Sequence, residues 1–382
     1  MPGYWQRETL RDAASMAFGE TWEYDLPKNG QLGSLVLYMS SSPGSNNLLI
    51  LPKWRLIDYI SKVEIIGDGS EVIKSYDGVE AIGAAFYDDG RVPPCQWRTY
   101  ATTPQRQWVP INFGRFLQDE LYGLDLSKFN QVTLKITNDA TSSIWTTDIN
   151  VTVVGYFLRD GGGFGAGYFR EEVIKSWLPV AAATEYTVLP TSLPIRRILL
   201  EARPARDTAD AKNNSTMIAL MNLIDYTFRT GQIRVYHDSL ERLGHLSVVE
   251  GIGEVVTRGS IDRTEAYGFE VGIGYNTANL GVGMPDATGS STITASMIKD
   301  IQDSAQEVGK RLASGPLSWI CRGNSFCDLT PLHFARKPDL SDILDPAALD
   351  AINVDISCTT GLTLTGTSRN ARNGIMLSRL VR

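Results

Sequence analysis

The chain is poor in the residues that catalysis and covalent stapling most often use. Its 382 residues include three histidines and four cysteines. Cys95, Cys321, Cys327 and Cys358 are scattered, and the one close pair, Cys321 and Cys327, is spaced too widely for a zinc knuckle. They read as buried free thiols. No Gly-x-Ser-x-Gly, no phosphate-cradling Gly-Lys-Ser/Thr and no His-Glu-x-x-His occurs. No apolar run reaches the length of about eighteen residues that a spanning helix needs, and the opening MPGYWQRETLRD carries charges where a signal peptide needs an apolar core. A soluble protein made in a cytoplasm is expected, and the sequons at Asn150 and Asn214 are then chance matches.

What is present points to a folded, strand-rich chain. Hydrophobic residues at 43% and charged residues at 21% disfavour disorder, collagen and coiled coil, and the length allows two or three domains. The 35 Gly and 17 Pro favour short strands joined by tight turns. A net charge of -7 argues against nonspecific nucleic-acid binding by the whole surface and leaves room for a local basic patch.

Along the chain, Trp5, Leu10, Ala13, Ala14, Ala17 and Phe18 among Arg7, Glu8, Arg11 and Asp12 approximate an amphipathic helix. Strand texture follows from Gln31, and Tyr59 to Ile66, Gly67-Asp68-Gly69 and Glu71 to Ser75 read as a hairpin. Phe116, Leu117 and Leu121 suit one or two helical turns, and Val132 to Ile136 and Ile149 to Leu158 read as strands. The segment from Gly161 to Gly167 is too rich in glycine for either element and marks a domain boundary. Strands are expected at 195–200, 223–228, 233–236, 352–356, 362–364 and 375–381. Ile293, Met297, Ile298, Ile301, Ala305, Val308 and Leu312 recur at helical spacing, so a helix is expected there. Gly272, Gly274, Gly281, Gly283 and Gly289 suit long surface turns over 250–290.

The two halves repeat. Leu26-Pro27 with Leu32, Leu35 and Leu37 is echoed by Leu189-Pro190 with Ile195, Ile198 and Leu200. Pro110 to Phe113, Leu124-Asp125 and Val132, Leu134 and Ile136 are echoed by Pro331 to Phe334, Leu344-Asp345 and Ile352, Val354 and Ile356. Leu-Ile-Asp-Tyr occurs at 56–59 and 223–226, but its distance to the following turn differs, so it carries no weight.

On these residues the sequence resembles the double jelly-roll major capsid proteins of tailless icosahedral double-stranded DNA viruses, the lineage that includes adenovirus hexon. The resemblance implies an all-β fold of two tandem jelly-roll β-sandwiches with a few short helices and one longer helix at about 291–313. The expected domains are an N-terminal helical arm over 1–22, a first roll over 23–160, a Gly-rich linker over 161–168 and a second roll over 169–382. It further implies a structural protein that needs no cofactor or metal, a homotrimeric pseudo-hexagonal capsomer packed beside others in a virion shell, and partners among vertex (penton) and minor capsid proteins. Both termini would lie at the base, facing an internal membrane or the genome. The candidates there are Trp5, Arg7, Arg11, Arg369, Arg372, Arg379 and Arg382, an aromatic and basic set suited to an anionic surface. The bland alternative is that the helix packs under a neighbouring subunit and the arginines cap sheet ends.

Two other classes stay open: a glycan-cleaving enzyme built from tandem jelly rolls, and a carbohydrate-binding protein using Trp97, Tyr100 and Trp108. The enzyme would need paired acids, and Asp88-Asp89 and Asp119-Glu120 are candidates. Adjacent strand residues point to opposite faces, so these read as solvated loop charge. His237, His245 and His333 read as structural, because His333 stands where the first half has Asn112.

Overall fold

The computed structural model describes residues 3–42, 56–96, 104–142, 145–203, 220–251, 255–263, 281–283, 315–323, 326–335, 340–359, 361 and 372–382. The first half runs β1 (Tyr4–Met16), β2 (Thr21–Asp25), β3 (Gln31–Ser41), β4 (Ile60–Gly67), β5 (Glu71–Tyr76), α1 (Gly78–Asp89), β6 (Cys95–Gln96), β7 (Gln105–Asn112), β8 (Leu124–Asp125), β9 (Val132–Asn138) and β10 (Ile149–Arg159). The second runs β11 (Tyr168–Trp177), β12 (Thr184–Val188), β13 (Ile195–Arg203), β14 (Leu223–Phe228), β15 (Ile233–Asp238), α2 (Leu240–Val249), β16 (Val255–Arg263), β17 (Gly281–Gly283), β18 (Gly315–Gly323), β19 (Leu329–His333), β20 (Ile352–Ser357) and β21 (Arg372–Val381).

Two orders recur in the sheets. The order β1-β10-β3-β7 of the first half matches β11-β21-β13-β19 of the second, and β2-β9-β4-β5 matches β12-β20-β14-β15. Each half is thus a jelly roll of two four-stranded layers with the closing strand returned beside the first. The repeated residues occupy equivalent places. Leu32 pairs with Leu124 as Ile195 bridges to Leu344, and Asp125 and Asp345 each cap a short 3-10 turn. The Leu26 N–H donates to the Val132 carbonyl as the Leu189 N–H donates to the Ile352 carbonyl. Even a bulge recurs, with Ile73 of β5 the extra residue opposite Ile65 and Ile66 and Val235 of β15 that opposite Tyr226 and Thr227. The two Leu-Ile-Asp-Tyr segments are not equivalent: 56–59 is a 3-10 turn before β4, and 223–226 lies within β14.

The chain leaves one sheet at Arg159 and enters another at Tyr168, so no sheet runs through the Gly-rich segment. The halves nevertheless share a sheet. β5 pairs with β11 in parallel, with Lys74 opposite Glu171 and Ser75 opposite Glu172, joining four strands of each roll into one eight-stranded layer.

The expected helix over the first twenty residues is corrected: Tyr4–Met16 is a strand paired antiparallel to β10, the first strand of its roll rather than an arm. Its register slips between Thr9 and Arg11 and between Arg11 and Ala14, with Ala13 at φ 43°. Two bulges break the alternation of a strand, and the apolar spacing that results imitates a helical period. Phe116, Leu117 and Leu121 lie in bends rather than helical turns, clasped by the Arg115–Asp119 ion pair. The helix expected at 291–313 and the strand at 362–364 lie outside the described residues, as does most of 250–290, although Val255–Arg263 is strand β16 rather than turn. Cys327 and Cys358 are buried thiols, whereas Cys95 is exposed.

α1 was not anticipated. Asp77 accepts from the Glu80 N–H at 2.9 Å while the Glu80 carboxylate accepts from the Asp77 N–H at 2.7 Å, a capping box. Gly90 closes the helix at φ 64°.

Deleting residues 1–16 is expected to lower the unfolding midpoint by roughly ten degrees or more, since one kcal/mol moves a chain of this size by a few degrees. An unchanged midpoint in calorimetry would mark the segment as a detachable arm.

Candidate functional site

The residues chosen from the sequence fall in three places. Trp5 is half-buried, its ring 6.3 Å from Phe164 and so close over Gly33 that a Cβ there would lie 2.4 Å from it. It is a packing residue. Arg7 and Arg11 are exposed along β1, and Arg382 is exposed after β21. Arg369 lies outside the described residues. Arg372 and Arg379 are corrected: Arg372 is ion-paired with Asp77, Glu80 and Glu201, and Arg379 is buried against Glu172. Carboxylates of the same chain engage both guanidiniums, Arg372 on the face of β21 that meets α1 and Arg379 on the opposite one. The two chain ends do come together. Tyr4 pairs with Arg159 and Val381 with Tyr168, which places both beside the Gly-rich segment.

The paired acids do not form a facing couple. Asp88 and Asp119 are buried ion-pair partners, not solvated loop charge, and Asp89 accepts from the Leu117 N–H at 2.8 Å. Trp108 is half-buried against the ring of Tyr38, with centroids 5.0 Å apart; Trp97 and Tyr100 lie outside the described residues.

The densest constellation is one that sequence reasoning missed, a buried charge network around α1 where the rolls meet. All nine residues of β13, Ile-Arg-Arg-Ile-Leu-Leu-Glu-Ala-Arg, are buried. One face, with Ile198, Leu200 and Ala202, enters the core of the second roll. The other places Arg197, Leu199, Glu201 and Arg203 under α1. At the start of α1, Arg203 grips Asp77 through two bonds of 2.6 and 3.1 Å, and Arg372 reaches Glu80 at 2.6 Å and Glu201 at 2.8 Å. At its end, Asp88 takes Arg196 at 2.7 Å and Arg197 at 2.8 Å. An aspartate there opposes the helix dipole, and two guanidiniums offset it. Glu171 completes the chain, bonded to Arg197 at 2.7 Å and to Lys74 at 2.8 Å.

Burial pushes Glu80 up to about 8, aided by the Asp77 and Glu201 charges. Burial also raises Asp88 to about 6 against the pull of Arg197 and Arg196. For Glu171 burial acts upward, yet Lys74 and Arg197 prevail and hold it at about 2. Asp77, Glu80 and Glu201 have the spacing of a metal trio, but their oxygens already face Arg203 and Arg372, so a cation would have to displace a guanidinium. The arrangement fixes two rolls against each other and offers no open reactive group. The missed signal was Asp77-x-x-Glu80 ahead of Ala81, Ile82, Ala84 and Ala85, a capping box before an apolar run.

Arg197→Met strips a partner from both Glu171 and Asp88, and a loss of about 3–5 kcal/mol is expected in denaturant unfolding, the usual cost of breaking a buried pair. Arg234→Ala, which breaks an exposed pair with Asp225, should cost less than about 1 kcal/mol. Similar losses in the two would show that the network carries no special weight. The raised Glu80 has a pH signature. The native state holds a proton that the unfolded chain releases above its ordinary value of 4.5, so this contribution is full below that pH and is lost as pH rises through about 8. Wild-type stability should therefore lose this contribution from about pH 4.5 to 8, and Glu80→Gln should flatten that fall; equal slopes would refute the assignment.

No protein-family model and no curated protein matches the chain. Solved structures do match over nearly its whole length. The STIV MCP covers 98% of this chain, and 96% of that chain is covered, at TM-score 0.54 and 12% identity. The major capsid protein of bacteriophage PM2 covers 99%, with 98% of its own chain, at 0.52 and 8%. A PBCV-1 virus capsid chain covers 99%, with 93% of its own chain, at 0.54 and 11%. The chain therefore has the double jelly-roll fold seen in these viral major capsid proteins.

Proposed function

We propose that this chain is a viral major capsid protein, whose function is assembly rather than catalysis. The observation that carries the reading is the pair of equivalent eight-stranded rolls, locked together by a buried joint and matched from end to end by capsid-protein folds. The two rolls run from Tyr4 to Arg159 and from Tyr168 to Val381, with the Gly-rich segment as their linker. Three copies supply six rolls, enough for a pseudo-hexagonal capsomer that tiles the faces of an icosahedral virion. Neighbouring capsomers, vertex proteins and minor capsid proteins are its partners, and synthesis takes place in the host cytoplasm. The end that gathers Tyr4, the Gly-rich segment and Arg382 is the base, toward an internal membrane or the genome.

The expressed chain should scatter light as a trimer in the presence of reductant and chelator alike, and electron microscopy should show three-fold tiles with six-cornered outlines. A clean monomer at micromolar concentration, with no particles under any assembly condition, would overturn the reading.

A further inference from the structure

The internal repeat is a control on what the fold itself requires. Tyr4 pairs with Arg159 in the first roll as Tyr168 pairs with Val381 in the second. Two residues further along the ladder, the place held by Gln6 and Phe157 in the first roll is held by Arg170 and Arg379 in the second. The same equivalence matches Glu8 to Glu172. Glu8 has one guanidinium, that of Arg159 at 3.4 Å, whereas Glu172 has two, Arg170 at 3.0 Å and Arg379. A jelly roll closes with a neutral pair at this place, and the second roll has two cations there instead.

Like charges directly opposite each other on neighbouring strands are destabilising. These two also sit at the end of an interior. Arg379 follows Ile375 and Leu377 along the face of β21 that enters the core of the second roll, and Arg170 and Glu172 share that face. Arg379 is 4% exposed, and its Nε, like that of Arg170, is buried with no hydrogen-bond partner. Burial, and after it the Arg170 charge, pushes the Arg379 guanidinium down to about 10. Two guanidiniums against one carboxylate leave a cation in excess, and a buried cation without a counter-ion is costly.

The nearby carboxylates are committed elsewhere. Glu71 accepts from the Tyr168 hydroxyl, and Glu171, on the opposite face of β11, is held by Lys74 and Arg197. The group is nevertheless open on one side. The Arg170 side chain is 27% exposed and that of Glu172 17%, so solvent reaches them with Arg379 as the floor. Arg382, exposed just past the Tyr168–Val381 pair, adds positive charge at the same end.

We propose that Arg170 and Arg379 form a binding site for a phosphate oxyanion, at the end of the second roll where the two chain ends meet. A guanidinium presents its N–H donors as a planar fork that matches phosphate, and two forks can hold different oxygens of one group. Glu172 steadies both forks through one oxygen each and leaves both Nε donors unused. The oxygens of a tetrahedral phosphate spread in more directions than those of a planar carboxylate, and its charge offsets the excess. The phosphate is either free in solution or the headgroup of a phospholipid.

Inorganic phosphate, titrated into the full chain against chloride at equal ionic strength, should raise the unfolding midpoint saturably, by about two degrees at ten times its dissociation constant. Arg170→Gln copies the residue of the first roll and leaves Arg379 and Glu172 as a balanced pair. It should abolish the rise while keeping the midpoint in chloride at or above that of the wild type. Glu172→Gln removes the resident carboxylate and should tighten phosphate binding several-fold. Arg7→Gln, at an exposed position of β1, reports scattered surface binding and should keep the wild-type response. Flotation with vesicles of phosphatidylcholine and phosphatidic acid separates the two sources. Flotation lost in Arg170→Gln assigns the headgroup; flotation absent in the wild type, or equal in the two, assigns the free ion. No rise in the wild type, or a rise that survives in Arg170→Gln, means an adventitious ion only and overturns the site.

Discussion

The relative placement of the two rolls depends on one buried set of charges. Asp77 at the cap of α1 and Asp88 at its end carry carboxylates into the joint, and the second roll answers with Arg196, Arg197, Arg203 and Arg372. Such pairs contribute little net stability over an apolar joint of the same shape, because desolvation offsets most of the attraction. What they supply is discrimination. A carboxylate buried beside anything except its guanidinium is strongly disfavoured, so a slipped or rotated docking of the rolls leaves several ions unpaired at once. The apolar contacts of Leu199, Leu329 and Met376 with α1 hold the rolls together, and the ions choose the arrangement.

The buried joint holds the two rolls of the chain in one fixed arrangement. The continuous eight-stranded layer adds to it, since the β5 to β11 pairing passes backbone hydrogen bonding from one roll to the next. The ionic joint is covalently tethered and forms once per chain, so it gains from being exacting.

The acidic pairs illustrate how burial changes a residue's meaning. Asp88-Asp89 resembles a solvated loop dipeptide by sequence. In the structure it ends a helix whose tenth and eleventh residues lie against another domain, so Asp88 is an internal counter-ion and Asp89 caps the turn at Leu117. Arg372 shifts in the same way, from a basic tail residue to the hinge of three carboxylates.

The strands, the repeat and the two-roll architecture were legible in the sequence because they rest on local, periodic signals: alternation along β9, β10 and β20, the Leu-Pro entries, and the Leu-Asp caps that recur at equivalent places. α1 was also written there, in the Asp77-x-x-Glu80 box, but it is buried on all sides and so lacks the polar face that makes a helix visible as a period. β1 misled for the opposite reason, its bulges shifting apolar residues into a helical spacing. Which arginines are buried and which carboxylates hold protons was decided only by the tertiary structure. Those properties depend on what another segment, a hundred or more residues away in the chain, places within a few ångströms, and no local pattern encodes that distance.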